Sequence, residues 1–145
     1  MKGLVAQIGI LSMLVALASC GSIKPKSFQQ TAAGWNTILL RDGLTYDQAF
    51  GEVLDVCAKR FELDMISKDG AYARTKWNYT WNKKGEYTQK YRTRVIFKFS
   101  ADRSKVDIKA EAEYGGDGQW IKGFDTELLS TMKQDISGAV GRVVM

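Results

Sequence analysis

Apolar residues recur at spacings of three and four through Tyr46, Ala49, Phe50, Val53, Leu54, Cys57 and Phe61, with Asp47, Glu52, Asp55 and Lys59 on the opposite side. That period predicts a helix with one buried face. Thr45-Tyr46-Asp47-Gln48 has the form of a capping box, and Leu44 can staple onto Ala49. Around Arg60 the period drops to two, since Phe61, Leu63 and Met65 alternate with Glu62 and Asp64, so a strand follows the helix. The Asp69-Gly70 turn opens a long strand in which Ala71, Ala73, Thr75, Trp77, Tyr79 and Trp81 are expected to share one face. After a turn at 82–85, a strand over 87–99 places Tyr91, Thr93, Val95, Phe97 and Phe99 on one side. Lys90, Arg92, Arg94 and Lys98 lie on the other, with Ile96 as an apolar exception there. Over 105–114, Val106, Ile108, Ala110 and Ala112 alternate with Asp107, Lys109, Glu111 and Glu113. Residues 115–118 read as a loop and Trp120-Ile121 as an apolar landing. A last helix, capped by Asp125 or Thr126, carries Leu128, Leu129, Met132, Ile136, Ala139, Val140 and Val143 on one face.

Assembled, the pattern predicts an α+β domain over 44–145: a helix, a three- to four-stranded antiparallel sheet and a second helix, with both helices on one face of the sheet. Upstream, 35–40 has strand character, as a short edge strand or a lead-in. Residues 21–34 are mostly small and polar, and 20–43 as a whole are expected to form a tether and lead-in. Lys24 and Lys26 there can touch anionic lipid head groups or stay simply solvated.

The amino terminus sets the address. Lys2 precedes an apolar run that ends at Leu17-Ala18-Ser19-Cys20, shorter than the about 20 apolar residues of a membrane-spanning helix. This layout resembles the bacterial lipoprotein signal, with Leu17 at the hydrophobic position, Ala18 and Ser19 as the small pair, Cys20 as the lipidated residue and Gly21 after it. The resemblance implies a signal peptide over 1–19, export, diacylglycerol on the Cys20 thiol, cleavage, and an acyl chain such as palmitate on the new amino terminus. By analogy with sorting in enteric bacteria, the absence of Asp after Cys20 implies the outer membrane, with the domain facing the periplasm.

Composition narrows the chemistry. The chain of 145 residues carries 21 basic and 16 acidic residues and no histidine. The usual general base and the commonest metal ligand are therefore missing. No catalytic set, metal site or cofactor is expected. Of the two cysteines, the lipoprotein resemblance assigns Cys20 to lipid, which leaves Cys57 alone, expected as a small core residue without a disulfide partner. Export also argues against a nucleic-acid partner, although basic and aromatic residues interleave as on single-strand platforms.

Two surface features remain. Arg74, Lys76, Lys90, Arg92, Arg94 and Lys98 are expected on the outer face of the sheet as a cationic surface for an anionic ligand or partner; the alternative is a solvated face offset by the acids of the last strand. Trp77, Tyr79 and Trp81 form an aromatic patch that either meets a glycan, membrane or partner or fills core beyond the helices.

Over 44–81, the order of helix and strands, the Asp69-Gly70 turn and the Arg74-Thr75 strand are similar to the helix-grip domains of the lipoprotein C subunit of the outer-membrane barrel-assembly machine. More generally the chain resembles small envelope lipoproteins with a single domain. Neither resemblance transfers functional residues. The expected function is a membrane-anchored envelope lipoprotein with a non-catalytic interaction or structural role, in contact with the membrane through its lipid and with an envelope protein complex. The competing expectation is a lipoprotein that binds a lipid, glycan or other small ligand.

Overall fold

A computed structural model describes residues 24–81, 87–116 and 118–142. In chain order it contains β1 (Phe28–Gln29), β2 (Asn36–Leu39), α1 (Tyr46–Ala58), β3 (Leu63–Ser67), β4 (Tyr72–Thr75), β5 (Asn78–Trp81), β6 (Tyr87–Phe99), β7 (Lys105–Gly116), β8 (Gln119–Asp125) and α2 (Thr126–Val140). The two longest alternating runs form the centre: β6 and β7 pair antiparallel from Tyr91 opposite Tyr114 to Phe99 opposite Val106. Each then uses its other edge twice. β6 takes β4 near its end and β5 near its start, while β7 takes β2 on 105–108 and β8 on 111–116. β3 on β4 and β1 on β8 complete an eight-stranded antiparallel sheet.

The expected sheet of three or four strands between two helices is therefore wrong: strands dominate, and eight of them form one sheet. Part of the difference lies in the segment read as a tether. Phe28 is buried against Tyr91 and Ala112, and Ile38 and Leu40 enter the main core. From residue 28 on, this segment is folded onto the domain. Another part is β8, which sequence analysis read as loop and landing. Its residues do not alternate cleanly, and its pairing partner β7 supplies the order. Gly123 belongs in β8 because a Cβ there would lie 2.1 Å from the Gln29 carbonyl oxygen of β1.

The inner face is the core. Ala49, Phe50, Val53 and Cys57 of α1 and Met132, Ile136 and Val140 of α2 pack with Val95, Phe97, Phe99, Val106 and Ile108 of the sheet. The capping box at Thr45 forms: Gln48 N–H donates to Thr45 Oγ1 at 3.2 Å, and Thr45 N–H donates to Gln48 Oε1 at 3.1 Å. Burial pushes the Cys57 thiol up to about 12, which keeps it protonated and inert. The start of α2 is tied to the start of the fold. Asp125 accepts from Leu128 N–H at 2.9 Å and from the Ser27 hydroxyl at 2.8 Å, and Tyr91 donates its phenol to the same carboxylate. At the other end, Arg41 N–H donates to the Val140 carbonyl and Arg142 N–H to the Leu39 carbonyl. No helix among the described residues is long and apolar enough to cross a membrane.

The turn between β6 and β7 carries a pH dependence. Asp102 accepts from the Ser100 hydroxyl at 2.6 Å and from the Ser104 hydroxyl and N–H at 2.8 and 3.1 Å, and these bonds hold its carboxyl down at about 2. A depressed carboxyl stabilises the fold above its unfolded pKa, and that contribution is lost as pH falls through the folded value. Between about pH 4 and pH 2, stability measured by urea unfolding should therefore fall less steeply in Asp102→Asn than in the native chain. Equal slopes would show that the turn contributes nothing to the acid limb.

Candidate functional site on the outer face of the sheet

The outer face is organised by a break in the strand that sequence analysis drew as continuous. Ala71, Ala73 and Thr75 are buried on the helix side, but the chain leaves the ladder at Lys76-Trp77 and rejoins it as β5. At the break, Lys76 N–H donates to the Glu62 carbonyl at 2.8 Å, and the Val95 N–H is taken by the Thr75 hydroxyl at 3.0 Å. The interruption therefore leaves no unpaired backbone donor at these positions. It also reverses the alternation, so Tyr79 stands opposite Arg92 and Trp77 lies over the guanidinium groups of Arg92 and Arg94. The expectation that Trp77 and Tyr79 continue the face of Ala73 is corrected. Aromatic and arginine residues share the outer face.

Arg92 is at the centre. Its guanidinium carbon lies 4.6 Å from the Trp77 ring centroid and 4.0 Å from that of Trp120, which β8 brings in from the other side. Its Nε and Nη2 donate to Glu113 Oε2 at 2.7 and 2.5 Å, and its Nη1 donates to the Tyr79 hydroxyl at 3.2 Å. Tyr79 and Trp120 meet edge to face at 6.3 Å. Cation–ring contacts contribute about 0.5–2 kcal/mol each, more as water is excluded, so both rings help hold the partly exposed Arg92 in place. Two residues along the strand, on the same face, Arg94 lies 4.3 Å from the Trp77 centroid and donates from Nε to Glu111 Oε2 at 2.7 Å, while Lys109 reaches Glu111 Oε1 at 2.9 Å. Burial alone would raise the Glu111 carboxyl, but hydrogen bonds from Lys109 and Arg94 outweigh it and hold the group below the usual carboxylate range.

Acids of neighbouring segments pair with four of the six cations expected on this face. Register sets Glu113 opposite Arg92 and Glu111 opposite Arg94. Arg74 pairs with Asp64 at 2.5 Å and Lys76 with Glu62 at 2.5 Å, both acids coming from the segment around β3. Lys98 stands opposite Asp107 and is exposed, as is Lys90 near the start of β6. Trp81 closes β5 and its side chain lies outside the described residues, as does the whole of Cys20. Trp120, read from sequence only as part of an apolar landing, and Lys122 reach this face through the pairing of β8 with β7, which no local pattern signals. Sequence analysis also missed the chain at Ala32 and Ala33, which lines the outer face beside Glu111 and Lys109.

Among the described residues no group of three or more His, Cys, Asp or Glu is placed to hold a metal. No protein-family model and no curated protein matches the chain.

Proposed function

We propose that this chain is a bacterial lipoprotein, anchored through Cys20 in the outer membrane and facing the periplasm, whose domain is a non-catalytic interaction module that engages its partner through the outer face of the sheet. The observation that carries this reading is the contrast between the faces. Both helices pack on the inner one, whereas the outer one presents Trp77, Tyr79 and Trp120 half-buried around a fixed Arg92. Aromatic and arginine side chains held rigid on a surface favour binding, because little side-chain freedom is lost on contact. The outer-membrane machinery to which residues 44–81 bear a likeness makes an envelope protein complex the first partner to seek.

Two experiments test the reading separately. Cys20→Ser should abolish incorporation of labelled palmitate and leave an uncleaved precursor; normal labelling of that variant would remove the anchor. Crosslinking in intact cells, followed by mass spectrometry, should recover an envelope component with the native chain and lose it with Trp120→Ala. Undiminished recovery by a folded Trp120→Ala variant would move the interaction off this face.

A further inference from the structure

The outer face contains a hollow of about 240 Å³ that the arginine ladder alone does not explain. Trp77 lines it, as do Glu111 and Glu113, and Ala32 and Ala33 of the chain between β1 and β2 close it. Drug-sized ligands occupy pockets of about 300–1,000 Å³, so this space suits a single ring and not an extended chain. Its groups are also held in place before any ligand arrives. Glu111 is fixed by Arg94 and Lys109, and Glu113 by Arg92.

Fixed carboxylates retain acceptor capacity, since each has about four lone-pair sites. Among the described residues, Glu113 Oε1 accepts no hydrogen bond; Arg92 uses Oε2 alone. Lys122 also lines the hollow. It stands opposite Glu113 in the ladder, yet it is exposed and pairs with no described carboxylate, because the arginine has taken its neighbour. Arg94, Lys109 and Lys122 together outnumber Glu111 and Glu113 around the space. An aromatic wall, hydroxyl-accepting carboxylates and an uncommitted ammonium group are the chemistry that recognises a sugar bearing a negative charge.

We propose that this hollow binds one saccharide ring carrying a carboxylate or phosphate group: the ring beside Trp77, its hydroxyls donating to Glu113 and Glu111, and its anionic group on Lys122. This adds a small-ligand site within the outer face and so rests on that face being the binding surface. The carboxylated and phosphorylated forms share the same chemistry, and the probes separate them.

Full-length lipoprotein in detergent micelles is titrated with glucuronic acid and with glucose 6-phosphate, and saturation-transfer NMR and tryptophan fluorescence are recorded; glucose and inorganic phosphate serve as controls. Saturable binding of at least one charged sugar, tighter than both controls, is expected, and the stronger of the two identifies the anionic group. Lys122→Ala should weaken it about tenfold, the loss of one charge-assisted contact, without changing the response to glucose. Ala33→Phe, which fills the hollow from its wall, should abolish it while circular dichroism remains native. Inorganic phosphate binding as tightly as glucose 6-phosphate would reduce the site to a basic patch and overturn the proposal. Absence of saturable binding by either charged sugar to the folded native chain would overturn it too. If that absence accompanied loss of the crosslinked partner in Trp120→Ala, the interaction face would stand and only the sugar would fall.

Discussion

Phe97→Ala should cost about 3–5 kcal/mol of folding stability, the usual price of removing a buried aromatic ring. Phe97 is 1% exposed, on the central strand β6 beneath α1. Its ring meets Phe50 at 5.7 Å and Phe99 at 6.0 Å, both in T-shaped contact, so the substitution removes aromatic contacts on two sides as well as buried area. Native domains have only about 5–15 kcal/mol in total, which makes this a loss of a third or more for most of that range. Urea unfolding should show a much lower midpoint. Ile66→Ala on β3 is the control: Ile66 is 53% exposed, and its loss should stay within about 0.5 kcal/mol. A Phe97→Ala midpoint close to that of Ile66→Ala would mean that the helices do not cover the sheet as described.

The second large effect belongs to Arg92 and Glu113. Their side chains retain 20% and 11% exposure, so the pair lies between a surface ion pair, worth about 0–1 kcal/mol, and a fully buried one. Removing one partner from a fully buried pair costs about 3–5 kcal/mol, and partial solvent contact here brings the expected loss for Arg92→Met to about 2–3 kcal/mol. Most of that is the stranded Glu113 carboxylate, since methionine keeps much of the packing between Trp77 and Trp120. The double variant Arg92→Met/Glu113→Gln should therefore recover over half of the loss. Additive single losses in the cycle would show that the two side chains act independently, and that the ladder is not a coupled unit.

How much of this was legible in the sequence varied with what each segment depends on. The capping box at Thr45, the period of α1 and the alternations of β6 and β7 are local, and each appears in the structure where the residues placed it. β1 and β8 were not legible. Phe28-Gln29 is too short to show a period, and Gly123 reads as a breaker until β1 is seen crossing it. The Trp77 break was hidden for a related reason. Alternation from Ala71 to Trp81 fits one strand perfectly well, and only the positions of Glu62 and Val95 show where the ladder is interrupted. Charge was left open between two readings for the same reason. Arg92 and Arg94 look like a basic stripe in β6, yet the acids of β7 that neutralise them were visible in sequence, and the missing information was register. The arginines and the outward-facing tryptophans thus became one feature only in three dimensions.

On the proposed reading this protein meets its partner through the outer face of the sheet, with the helices serving the core. The most direct measurement places a photo-crosslinking amino acid at Lys122 on that face, or at Lys133 on the exposed side of α2, in lipidated protein within intact cells. A discrete crosslinked product is expected from position 122, lost when Trp120→Ala is added to the same chain, and little or none from position 133. A product from position 133 that Trp120→Ala leaves intact, with nothing from 122, would contradict that reading and assign the interaction to the helices.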